Sequence, residues 1–209
     1  MLKKGFTLAE VLVTLGIIGI IAALTLPGLQ KRAGVAHLGP QLAKAIATLE
    51  NGMGVLLYEA NVKDTTQIQE SDTDFGTAKK SGGLLTKLKE GKYVKLTEGS
   101  VSGTFPSTEK CAKNPIYALP DKSLVAACTT DAVLTVADGG STEWMIISAQ
   151  SRNYASLVEG LDYFKIKISA DGMIFIPGSG SCSRTSGGSG CASKIANNGW
   201  RSDGNVYKD

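Results

Sequence analysis

Residues 1–30 read MLKKGFTLAEVLVTLGIIGIIAALTLPGLQ, and the rest of the 209-residue chain is interpreted from this stretch. Lys3, Lys4 and Gly5 precede a run, residues 6–26, of 21 residues with one charge, Glu10. As a helix rising about 1.5 Å per residue, the run is about 31 Å long, close to the thickness of a bilayer's hydrocarbon core. The two lysines on its N-terminal side favour a cytoplasmic N-terminus, with the remainder of the chain outside the cytosol. The run is too long for the apolar core of an ordinary secretory signal, and Leu24, Thr25, Leu26 and Pro27 make a poor cleavage site. A plain signal anchor accounts for the length but not for Glu10.

Glu10 is informative because a carboxylate at the bilayer centre costs about 2.5–3.5 kcal/mol on insertion scales, and less near the interface. One local reading is a capping box. Thr7 and Glu10 have the T-x-x-E spacing that satisfies free N–H groups at a helix start.

The leader Lys3-Lys4-Gly5 followed by Phe6-Thr7-Leu8-Ala9-Glu10 resembles the N-terminus of type IV prepilins and type II secretion pseudopilins. The apolar run to Leu26 and the proline at 27 extend the resemblance over about the first 30 residues. It implies a leader of residues 1–5, removed by a prepilin peptidase that cuts between Gly5 and Phe6 and methylates the Phe6 amine. Gly5, lacking a side chain, leaves its backbone open to that enzyme. The catalytic carboxylates would be the peptidase's. It further implies that residues 6–27 anchor the subunit in the inner membrane and later form the filament core, with a kink at Pro27. Glu10 would pair with the Phe6 amine of a neighbouring subunit. The implied partners are identical or related pilin subunits, the peptidase, an inner-membrane assembly platform and, before assembly, the lipid bilayer. The final location is a periplasmic or extracellular filament. Gly16, Gly19 and Ala23 are small residues on this helix, and Gly19 and Ala23 have the small-xxx-small spacing that lets helices approach closely in lipid.

Past Pro27 the pattern becomes amphipathic. Val35, Leu38, Leu42, Ile46, Leu49, Met53 and Leu56 recur every three or four residues and mark one face of a helix over residues 28–60. Gly34, Gly39 and Pro40 interrupt it, and an interior proline costs about 3 kcal/mol. A break is expected at Pro27-Gly28 or Gly39-Pro40. Residues 61–177 read as a globular head. Residues 61–82 read as loop, Leu84, Leu85 and Leu88 as a short helix, and 97–123 again as loop. Strands are expected at 133–137 and 144–148. Phe164, Ile166 and Ile168 alternate with Lys165, Lys167 and Ser169 as a half-buried strand. Asp171-Gly172 reads as a two-residue hairpin turn and 173–176 as the returning strand. A long N-terminal helix followed by an antiparallel meander makes the fold class α+β. Residues 178–209 are rich in Gly and Ser, with too little apolar surface in 178–205 to order themselves by burial.

The four cysteines, Cys111, Cys128, Cys182 and Cys191, have no C-x-x-C spacing. Their even number and wide spacing beside an export signal point to two structural disulfides outside the cytosol. Of three possible pairings, the local one, Cys111 with Cys128 and Cys182 with Cys191, needs the least chain rearrangement. A disulfide closing the C-terminal region also resembles some pilins.

Chemistry is sparse. There is one histidine, His37, and no G-x-S-x-G, H-E-x-x-H or Walker A motif. No enzyme, cofactor or metal site is expected. Asp162, Asp171 and Asp203 lack the carboxylate spacing of an EF-hand. The formal charge of +3 falls to +1 when residues 1–5, with Lys3 and Lys4, are removed (20 basic against 19 acidic). Nucleic acid is therefore not expected as a partner, although Arg184, Lys194, Arg201 and Lys208 make the C-terminus mildly basic. The alternative to a filament-body subunit is a minor pilin acting as adhesin or DNA receptor at the tip.

Overall fold

The structure, a computed structural model, describes residues 7–99, 111, 115–128, 143–149, 157–202 and 206–207, without the side chains of 24–34 and 81. Two helices lead. Helix α1 spans Leu8–Ala36 and α2 spans Leu38–Glu59, separated by His37 alone. The backbone is helical through Pro27 and Gly28, and the interruption falls at His37, just before Gly39 and Pro40 in the first turn of α2, near the second of the two expected places. Pro40 has no N–H to give the Ala36 carbonyl, and its ring collides with that carbonyl in a continuing helix.

The apolar stripe expected on the second helix is the spine of the core: Leu42, Leu49, Met53 and Leu56 are at most 1% exposed. The side chains of α1 behave oppositely. Leu8, Leu12, Ile17 and Ile20 are each more than half exposed, because no described part of the head covers them. Among the described residues no helix is long and apolar enough to cross a membrane.

Among the described residues six strands follow as an antiparallel meander, ordered as they occur in the chain: β1 Thr97–Glu98, β2 Ile116–Ala118, β3 Leu124–Ala127, β4 Glu143–Ile147, β5 Tyr163–Ile168 and β6 Ile174–Phe175. The longest ladder joins β4 to β5, from Glu143 opposite Lys167 to Ile147 opposite Tyr163. Tyr117, Val125, Trp144, Ile146, Phe164 and Ile166 face the core that α2 closes, with Leu84, Leu85 and Leu88 of α3 (Ser81–Glu90). Leu124, Ala126, Met145 and Ile147 face a second, smaller core with Cys111, Cys128 and Leu157. Burial on both faces explains why β3 and β4 are continuous apolar runs without alternation.

Three sequence expectations change. Residues 97–123, read as loop, contain β1 and β2, each too short to show a period. The β5–β6 turn is not a two-residue Asp171-Gly172 turn. The Gly172 N–H donates to the Ser169 carbonyl and the Ser169 N–H to the Met173 carbonyl, which puts Ala170 and Asp171 at the centre. Gly172, at φ +88°, takes the left-handed position that ends such a three-residue loop. The C-terminal segment also orders by burial: Cys182, Cys191, Ala192, Ile195, Val206 and Tyr207 join the main core, and helix α4 spans Cys191–Asn197. Its few apolar residues suffice because they land on a core that other elements have already built. The strand expected at 133–137 lies outside the described residues.

Candidate functional site

The start of α1 is built by Thr7 and Glu10. Thr7 is extended (φ −78°, ψ 150°) and caps the helix. The Glu10 N–H donates to Thr7 Oγ1 at 3.3 Å. In return Glu10 Oε2 accepts the Thr7 N–H and the Thr7 hydroxyl, each at 2.8 Å. This is the reciprocal box the T-x-x-E spacing predicts, and it satisfies two of the donors a helix start leaves free. The box holds the carboxylate at the first turn, beside the chain's N-terminal end, where the described apolar side chains from Leu8 to Ile20 are exposed. Thr14 returns its hydroxyl to the Glu10 and Val11 carbonyls at 3.0 and 2.9 Å. Gly16 and Gly19 have nothing within 4 Å of where a Cβ would stand, which keeps that face clear for another helix. Gly5 and Phe6, the cleavage and methylation positions, lie outside the described residues.

The cysteines pair locally, Cys111 with Cys128 and Cys182 with Cys191, leaving no free thiol. The first bridge ties the end of β3 to Cys111 in the smaller core, and the second closes the loop that leads into α4. His37 stands at the α1–α2 break, its Nε2 buried without a hydrogen-bond partner among the described residues. Among the same residues no group of three or more His, Cys, Asp or Glu side chains is placed to hold a metal ion. Asp171 serves its own turn, accepting the Met173 N–H at 3.2 Å. Asp162 accepts the Val158 N–H at 3.0 Å, and Asp203 lies outside the described residues. A cavity lined by Lys44, Thr48, Pro120 and Asp121 holds about 10 Å³, room for one water. Lys194 and Arg201 are exposed on the C-terminal segment; Lys208 lies outside the described residues.

Residues that the sequence did not single out prove structurally telling. Ser202 reaches the α1–α2 break, and the Tyr207 hydroxyl donates to the Gly160 carbonyl at 2.6 Å. No local spacing signals either contact, because each joins segments far apart in the chain.

Residues 1–26 match the family model described as the prokaryotic N-terminal methylation motif, the signature of type IV pilins and pseudopilins. No solved structure is a significant match to the chain. The motif supports a type IV pilin- or pseudopilin-like protein. It implies processing by a prepilin peptidase and assembly into pilin polymers.

Proposed function

We propose that the chain is a structural subunit of a type IV pilus or type II secretion pseudopilus, cut between Gly5 and Phe6, methylated on Phe6 and polymerised through α1. The observation that carries this reading is the capped, uncovered start of α1. An apolar helix start whose described side chains from Leu8 to Ile20 are exposed presents one carboxylate beside the end that cleavage would free. In a bilayer such a surface is covered by lipid. In a filament it is covered by the same helix of other subunits, where a new Phe6 amine opposite Glu10 neutralises the buried charge. Before assembly residues 6–27 would cross the inner membrane with the N-terminus in the cytoplasm, bending at Pro27, and the assembly platform would draw the subunit from there into the filament. The head would stand outside the cytosol, as its two disulfides require. The role is non-catalytic, with no cofactor.

A body subunit is favoured over an adhesin or DNA receptor at the tip. Glu10 serves packing below another subunit, which a terminal subunit needs less. The test is to shear filaments from cells that make the chain with its peptidase and assembly platform, and to look for the subunit along their length. Subunit found only in the membrane fraction, with filaments present but lacking it, would refute the proposal. Subunit confined to filament ends, or heads that bind DNA in a salt-dependent way, would move the reading to the tip.

A further inference from the structure

In an unbroken helix the Gly39 N–H would donate to the Val35 carbonyl, four residues back. Here the Ser202 hydroxyl stands between them, 163 positions from Gly39 along the chain. It accepts the Gly39 N–H at 3.1 Å and donates its own proton to the Val35 carbonyl. A hydroxyl can do both because it carries one donor and two lone pairs. Val35, Gly39 and Ser202 are all buried, so water does not satisfy these groups instead. A side chain inserted into the helix ladder is a known cause of a bend, and Pro40 removes the next rung.

The serine is firmly held. A Cβ on Gly39 would meet the Trp200 carbonyl oxygen at 2.2 Å and Ile195 Cγ2 at 3.2 Å, so the backbone before Ser202 lies directly on the start of α2. Ile195 is fully buried on α4, and α4 begins at the disulfide-bonded Cys191. Beneath that bridge Gly160, at φ +84°, would bring a Cβ to 2.6 Å from Cys191 Sγ. The Tyr207 hydroxyl on the Gly160 carbonyl fastens the far end.

We propose that residues 182–202, fastened by Tyr207, form a clasp that locks the break between α1 and α2 through Ser202 and thereby sets the direction in which α1 leaves the head. With the clasp released, the Gly39 N–H and Val35 carbonyl are free to bond one another, and the angle between the helices changes although Pro40 still keeps them from joining into one. The break is then a joint with two arrangements, and the C-terminal segment selects one of them. This holds for the single subunit, whether or not it polymerises.

The test measures distances by paired spin labels in the full chain, monomeric in detergent. All four native cysteines are paired, so engineered thiols label selectively. Leu15→Cys, Asn51→Cys and Lys95→Cys are exposed sites on α1, on α2 and in the head. Leu15 lies 22 residues before His37, about 33 Å along the helix, so a 20° change at the joint moves it by about 11 Å. In Ser202→Ala the distances from Leu15 to Asn51 and Lys95 shift or broaden, while Asn51 to Lys95 stays as in the parent. Gly39→Ala, which pushes the clasp off from the other side, gives the same result. Unchanged Leu15 distances in Ser202→Ala overturn the proposal. So does loss of the Asn51–Lys95 distance in both variants, since the segment would then be needed to fold the head and would not act as a joint.

Discussion

Glu10 closes the first turn of α1 on Thr7, accepting its N–H at 2.8 Å while the Glu10 N–H returns to Thr7 Oγ1 at 3.3 Å. Glutamine can make the same box, but being neutral it cannot pair with a positive amine. Glu10→Gln is therefore expected to be cleaved and inserted normally yet to enter filaments roughly tenfold less or worse, as follows if a hydrogen bond to a charged group contributes about 1.5–3 kcal/mol. The readout is the ratio of sheared to membrane-bound subunit, without wild-type protein present. Normal assembly would leave Glu10 as a cap only.

Processing is checked by intact mass. Native protein is expected to begin at Phe6 and carry one added methyl group. A bulkier residue in place of Gly5 is expected to leave uncut precursor in the membrane, since the peptidase then meets a side chain where it needs bare backbone. Mature protein that still begins at Met1, or that begins beyond residue 25, would contradict the assignment.

The disulfides are expected to stabilise the head in proportion to the logarithm of the loops they close. For separations of 9 and 17 residues, chain-entropy bookkeeping gives about 2.6 and 3.1 kcal/mol. Replacing Cys182 and Cys191 together by serine should lower the denaturation midpoint followed by fluorescence of the buried Trp144. Replacing Cys111 and Cys128 should lower it slightly more. No change in either double variant would mean the bridges do not restrain the unfolded chain.

Alkaline conditions are expected to loosen the head. Burial pushes the Tyr207 phenol well above its ordinary value. Burial, and then the hydrogen bond to Glu59 at 2.6 Å, push Tyr93 up to about 12. A folded-state value raised above the unfolded value near 10 means the stabilisation is fully present below about pH 10 and is lost as pH rises through the folded value. Tyr207→Phe loses the bond to the Gly160 carbonyl, a cost of roughly 1 kcal/mol at neutral pH. Its stability should then fall less steeply above pH 10. A denaturation midpoint recorded from pH 7 to 12 for both proteins decides this, and parallel profiles would contradict it.

Local pattern by itself determined the N-terminal half. The T-x-x-E box, the apolar run and the stripe from Val35 to Leu56 are written at spacings of three and four residues, which a helix turns into contacts without help from elsewhere. The alternation around Ile166 and the pairing of cysteines near in sequence were legible for the same reason. Tertiary structure decided what short range could not express. Strands β1 and β2 have two and three residues, too few to show a period, and exist because β3 offers β2 an edge and β2 in turn offers one to β1. The Gly/Ser-rich end has too little apolar surface to order alone and becomes ordered by docking onto a finished core. The site of the helix break was one of two that the sequence allowed. The helical backbone runs through Pro27, whereas it is interrupted at His37, just before Gly39-Pro40, and a serine from the far end of the chain takes the place of the missing rung, a contact that exists only once both ends have folded together.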